Sequence, residues 1–524
     1  SARQVIAADA QLNGPALQLL EDLTGNRAHL IGSAHRPFAG RRFHCPEGLS
    51  TQQANQQARS KLAELIEGGR PFLCWTTAQR AGSKNSAQNL ARLHLQNRPD
   101  ARVLVIDSEN PDNAARLAAD PNGVAAAYDA IYCSPAISSG LSIELQGHFA
   151  AVLLLSGGTV APEHVAQAAA RIRDTGCPVW CFTPERSPGD HLRIGSGDLE
   201  PAALLRSLGH CERHLLADLI AAGGYDPETN NPGPWLRCWA SLAASRNRAR
   251  LAYSATVRGL CEREGWEVIA TAEAPSVDLE VIAQTVSMAL EVIATEAQAA
   301  EDRAVIEAEP LTTAEAAELS KRRNLSPSDR AKLQRHRIAA AWGLGAADPT
   351  PELLEAHRDR RSERGRLGWL LGCLEARQQV AAHDARRRQQ LAPRGRGWAP
   401  DLARELLGHK ITAADSLGLP KWLCRREWFA ADDSELLKLH ATAEAHRSDL
   451  TQTLGVSPGK RATTTLRALL RTCGHRLESR RTGRGKGRAW EYRINPEPLP
   501  TGASEPRLQL AWMTQLADPG GGMS

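Results

Sequence analysis

Two arginines end the stretch Gln167-Ala168-Ala169-Ala170-Arg171-Ile172-Arg173. A guanidinium at such a place can stabilise charge developing on a transferring γ-phosphoryl group, delivered across a cleft as an arginine finger. Arg171, Arg173 and Gln167 are therefore candidate catalytic residues. The plainer alternative is a helix end whose cations favour its C-terminal dipole. Small hydroxyl and acidic groups close other apolar runs: Asp9 at the end of VIAADA, Thr76 and Thr77 after FLCW, and Ser134 after DAIYC, the last followed by Ser138, Ser139 and Gly140. Open α/β sheets bind ligands at such strand ends, which makes these residues candidate ligand contacts; turn capping is the alternative for the serines. The phosphate cradle itself is missing from the sequence. No G-x-x-x-x-G-K-[ST] occurs, Gly455 to Lys460 has the wrong spacing, and Gly82-Ser83-Lys84 lacks the first glycine. No acidic pair closes an apolar strand as a metal-binding site would need. Among the 11 cysteines only Cys177 and Cys181 lie close, with no second ligand pair of zinc spacing. No cofactor or metal is expected for this chain alone.

These residues need a scaffold, and the pattern supplies one. The 524 residues suit roughly two to four domains. Up to about residue 200, near-continuous apolar runs alternate with helix-like stretches, the signature of a parallel sheet covered on both faces. Expected strands are Val5–Ala10, Phe72–Trp75, Val103–Asp107, Asp129–Ser134, Ala150–Leu155 and Val179–Thr183, with a helix capped by Ser83 and another over Ala161–Arg173. From 201 to 400 the β pattern vanishes into Ala-, Leu-, Arg- and Glu-rich helical segments, interrupted by Gly/Pro clusters near 223–234 and 391–400. The apolar fraction of 42% and charged fraction of 23% are ordinary, no run approaches the roughly 18 apolar residues of a membrane span, and no leader is legible. The scattered, unpaired cysteines fit a reducing, cytoplasmic setting.

The net charge of +5 says little, but its placement says more. Between Gly459 and Ile494 stand Lys460, Arg461, Arg467, Arg471, Arg476, Arg480, Arg481, Arg484, Lys486, Arg488 and Arg493, opposed only by Glu478 and Glu491. A helix over Arg461–Thr472, strands over His475–Arg480 and Ala489–Ile494 and a Gly-Arg-Gly-Lys-Gly-Arg tip make the order of a winged helix, whose recognition helix enters the major groove while its wing touches phosphates. Trp490 and Tyr492 alternate on the second strand as its core. No aromatic RNA-binding strand pattern is present.

Taken in order, the segments resemble superfamily 2 helicases, and in particular the helicase module of cyanobacterial-type plasmid replication proteins (the CyRepA group), with a more distant likeness to herpesvirus origin-binding helicases. VIAADAQLNGPALQLLEDLTG is similar to the last strand and motif III of a first motor domain, DAIYCSPAISSGLSIELQGHFAAVLL to motif V, and VAQAAARIRD to motif VI, with Ala170 where the family has glycine. Residues 235–269 and the stretch beginning at Leu311 are similar to that family's helical region. The resemblance implies an α/β plus α architecture: residues 1–10 as the last strand of a missing RecA-like domain, 11–200 a RecA-like helicase C-terminal domain, 201–400 an all-α region, 401–500 a winged-helix DNA-binding domain and 501–524 a disordered tail. It implies a truncated replication-initiator helicase: ATP and Mg2+ in the full-length protein, held by an absent N-terminal domain that carries the P-loop. The implied partners are duplex origin DNA, a single-stranded track and that domain, with no membrane. By itself the chain is expected to lack ATPase activity. The alternative is a non-catalytic DNA-binding protein on a degenerate RecA-like scaffold.

Overall fold

The computed structural model describes residues 14–32, 34–135, 141–189, 192–210, 225–226, 228, 231–271, 277–322, 325–345, 347–391, 406–482 and 489–517. The chain divides into two compact units, one built from Arg27–Leu192 and Arg246–Arg303, the other from Gly14–Asn26, Arg193–Ser245 and Ala304–Ser524. The strand expected over Val5–Ala10 lies outside the described residues.

In the first unit, the apolar runs become strands close to where the sequence puts them. These are β2 (Phe72–Thr76), β3 (Val103–Ile106), β4 (Ala130–Cys133), β5 (Ala151–Leu155) and β6 (Val179–Phe182), preceded by β1 (Arg42–His44). A short antiparallel ribbon of β7 (Tyr225–Asp226) and β8 (Asn231–Pro232) belongs to the second unit, and β9 (Glu267–Ile269) returns to the first. The resulting seven-stranded sheet has the order β3-β4-β2-β5-β6-β1-β9, with every pairing parallel. Strands β1 and β9 lie at one side of the sheet and are three residues each, too short to show a period in sequence; β9 falls inside the stretch read as wholly helical.

Both faces of the sheet are covered, which is why its strands read as continuous apolar runs. On one face Leu73, Trp75, Ile131, Cys133, Val152 and Leu154 pack with Val165, Val257 and Cys261 from helices Pro162–Ala169 and Tyr253–Arg263. On the other, Phe72, Cys74, Tyr132, Leu153 and Phe182 pack with helices Thr51–Gly68 and Ala87–Asn97 and with Leu290 and Ile293 of helix Val277–Glu307. The residue capping Ala87–Asn97 is Ser86, whose side chain accepts from the Asn89 amide; Ser83 lies in the preceding loop.

The second unit is mainly helical. Its three-stranded antiparallel sheet, in the order β10-β12-β11, joins β10 (Phe429–Ala430), β11 (His475–Thr482) and β12 (Ala489–Pro496). Strand β10 precedes helices Ser434–Ala445, Arg447–Thr453 and Ala462–Thr472, and Phe429, Leu436, Leu439, Leu450, Leu466, Leu469, Leu470 and Ile494 form one apolar cluster. That cluster also takes Leu367, Leu370 and Leu371 from helix Arg361–Gly372, so packing is continuous across residue 401. A side chain on Gly368 would meet the carbonyl of Cys473, so this helix lies against the turn that leads into β11. The stretch from 501, expected to lack structure, instead contains helix Glu505–Ala517, which buries Leu508, Trp512 and Leu516. Its sequence hides this because the apolar face is narrow, and only neighbouring helices make it a packing surface.

Candidate functional site

The carboxyl ends of β2 and β5 form the natural opening of the sheet. Strand β2 continues through helix Ala87–Asn97 to β3 on one side, whereas β5 continues through helix Pro162–Ala169 to β6 on the other. Adjacent parallel strands whose connections diverge leave a crevice there. Thr76 and Thr77 stand at this point. Thr76 is buried, its Oγ1 donating to the Asn85 carbonyl at 2.7 Å. The Thr77 amide donates to the Leu155 carbonyl at 3.2 Å, and its Oγ1 accepts from the Gly157 amide at 3.0 Å. Buried Ser134 follows Cys133, the register partner of Trp75, and therefore shares this rim. Gly158 adopts φ +73°, and a side chain there would press on Ser187 and Pro188. Tyr253 closes the floor: its hydroxyl lies 3.0 Å from Ser156 Oγ and donates to the Val160 carbonyl at 2.9 Å, and burial holds its pKa above the usual phenol value. Gly157, Gly158 and Tyr253 were not legible as site residues, because a glycine pair and a lone tyrosine carry no spacing signal.

The second cluster forms around residues 171–173. Helix Pro162–Ala169 stops before the arginines, so both lie beyond it rather than in its last turn, and Gln167 is half-buried within the helix. An extended contact replaces the helix: Ile143 N donates to the Arg171 carbonyl at 2.9 Å and Arg173 N to the Ile143 carbonyl at 2.8 Å. Arg171 Nη1 donates to the Leu141 carbonyl at 3.3 Å, and Arg173 Nε to Ser142 Oγ at 3.0 Å. Burial lowers the Arg171 pKa, but a guanidinium stays charged in proteins. Arg41, which sequence reading did not single out, pins this segment from below. It is fully buried, donates to the carbonyls of Ile172 and Cys177, and stacks over Trp266 at 4.7 Å. Thus the segment after Gly140 and the Gln167–Arg173 stretch are brought together. Among the described residues no hydrogen bond or ion pair links Arg171 or Arg173 to Thr76 or Thr77. Asp9, Ser138, Ser139 and Gly140 lie outside the described residues.

No family model matches the chain. It is similar to an uncharacterized protein of Picosynechococcus sp., with 26% identity over 374 residues, which covers 70% of this chain and 36% of that protein. The match therefore spans about a third of the relative's length.

The basic tail divides into free and paired charges. Helix Ala462–Thr472 turns Leu466, Leu469 and Leu470 inward, which leaves Arg461, Thr464, Arg467 and Arg471 on one exposed stripe, beside exposed Lys460. Among the described residues none of these four cations makes an ion pair. The helix start is fixed by Thr465, whose Oγ1 accepts from the Gly459 amide and lies 3.0 Å from His440 Nδ1. On the outer face of the β11–β12 hairpin two arginines are paired. Arg480 binds Glu491 at 2.8 Å and Arg493 binds Glu478 at 2.9 Å, and the two guanidiniums lie 4.0 and 4.8 Å from the Trp428 ring. Arg480, counted in sequence as a DNA-contacting cation, is thus held by a carboxylate and an indole. Arg481 lies over Trp490 at 4.9 Å. Tyr492 packs against the core as expected, whereas Trp490 is 45% exposed, because the hairpin's outer end extends past the apolar cluster. Arg484, Lys486 and Arg488 lie outside the described residues.

Proposed function

We propose that this chain binds duplex DNA through helix Ala462–Thr472, as the recognition helix of a winged helix, and supplies the second motor half of a replication-initiator-type helicase. The observation that carries the reading is the exposed stripe of Arg461, Thr464, Arg467 and Arg471, whose cations make no ion pair among the described residues, followed by a basic two-stranded hairpin. Such a stripe suits the major groove and its flanking phosphates. The helix-strand-helix-helix-helix-strand-strand order around β10, β11 and β12 supports the winged-helix assignment. For the motor half, support comes from a doubly covered parallel sheet with its crevice at β2 and β5, and from the pairing of residues 141–143 with 171–173, which suits coupling between a strand-contacting loop and arginine fingers. ATP and Mg2+ would be held by a further domain carrying a P-loop; the match leaves most of the Picosynechococcus relative's length uncovered.

Duplex binding is tested by fluorescence anisotropy across a salt series with the Arg467→Ala, Arg471→Ala double variant. The expected result is weaker binding and a log–log salt slope shallower by about 1 per arginine removed. An unchanged slope would overturn the assignment. The second reading, a non-catalytic DNA-binding protein on a RecA-like scaffold, is favoured by one observation: both candidate finger arginines are tied to residues 141–142 of their own unit. Adding an upstream P-loop domain separates the two, since only the motor reading gives DNA-stimulated ATP hydrolysis that collapses in Arg171→Ala.

A further inference from the structure

The first unit holds a cavity of 560 Å³ over β6, β1 and β9, beside helix Thr51–Gly68. Its size is that of a small-molecule site. One wall is aromatic: the His44 ring stacks on Trp180 with centroids 3.9 Å apart and planes within 8°, and Phe182 continues the series at 17°. The Lys61 ammonium lies 4.1 Å from the Trp180 ring and pairs with Glu64 at 2.6 Å. The lining also carries Gln56 and Gln57 of helix Thr51–Gly68, both half-buried. Neither amide has a partner among the described residues, and each offers a donor pair and an acceptor.

Parallel rings in one cavity with amides that have no partner among the described residues match one ligand chemistry. A planar nitrogen heterocycle would extend the stack, while its edge exchanged hydrogen bonds with the glutamines. An apolar ligand would leave the amides unsatisfied, and a bare anion would leave the rings unused. We propose that this cavity binds a single nucleobase, either of a free nucleoside or nucleotide or of an unpaired position in a strand. The site does not depend on the basic helix of the second unit, so either assignment can fail alone.

The whole chain is titrated with 2-aminopurine riboside and, separately, with an oligothymidine carrying one 2-aminopurine, and the probe's fluorescence is read. Stacking should quench the probe. Gln57→Ala and His44→Ala should each weaken binding about fivefold or more, whereas His44→Phe, which keeps a ring, should retain it. Quenching of the riboside alone assigns a free nucleotide, and of the oligomer alone a base within a strand. The proposal is overturned if neither probe is quenched, or if quenching persists undiminished in both Gln57→Ala and His44→Ala.

Discussion

Cations that look alike in sequence differ in what surrounds them. Arg467 and Arg471 face outward with no ion pair among the described residues, whereas Arg480 is held by Glu491 and lies over Trp428. A guanidinium already paired gains little from a phosphate, so Arg480→Ala should leave the salt slope of duplex binding unchanged. Anisotropy on that single variant checks this, and a slope as shallow as that of Arg467→Ala would return Arg480 to the contact surface. Arg41 is the reverse case, a fully buried cation bonded to backbone carbonyls. Its removal strands the carbonyls of Ile172 and Cys177, and an unsatisfied buried acceptor costs about 1–3 kcal/mol. Arg41→Ala should lower unfolding free energy by at least that amount in urea titrations. Because Arg41 holds the backbone between Arg171 and Arg173, that segment should also lose amide-exchange protection.

At the scale of elements, two junctions set stability. Helix Ala87–Asn97 meets β4 through His94, whose Nδ1 lies 3.0 Å from the Tyr132 hydroxyl. Burial, with the nearby Arg98 charge, pushes the His94 pKa down from 6.5 to about 4. The unfolded chain therefore takes up this proton first as pH falls. The contribution of His94 to stability is complete above pH 6.5 and is lost progressively from there towards pH 4. Thermal melts over that window should fall more steeply for the natural chain than for His94→Gln, and parallel curves would refute the assignment. At the other junction, helix Glu505–Ala517 inserts Trp512 beside Gly365, with its Nε1 donating to Ser362 Oγ at 3.3 Å. Trp512→Ala should cost about 3–5 kcal/mol, read as a drop in the denaturation midpoint.

For the whole molecule, helix Ala462–Thr472 cannot be separated from what supports it. Leu466, Leu469, Leu470, Ile494 and Leu516 share one cluster with Leu367, Leu370 and Leu371, so deleting everything after Val456 would open that core. Limited proteolysis of such a deletion should reveal new cleavage within 361–391, while point variants on the exposed stripe should not. Much of the first unit was determined by sequence alone. Strands buried on both faces must be apolar throughout, so β2 to β6 could be read nearly to the residue, and the helix-hairpin order of the tail followed from its alternation and glycines. Strands β1 and β9, the early end of the helix before Arg171 and the helix at 505–517 were decided only by tertiary structure. Each depends on neighbours distant in the chain: a three-residue strand has no period of its own, and Arg41 is buried only because the 172–177 backbone offers it carbonyls. The same holds for charge. Composition counted Arg467 and Arg480 as equals, and only the cross-strand register that sets Arg480 opposite Glu491 distinguishes the free cation from the neutralised one.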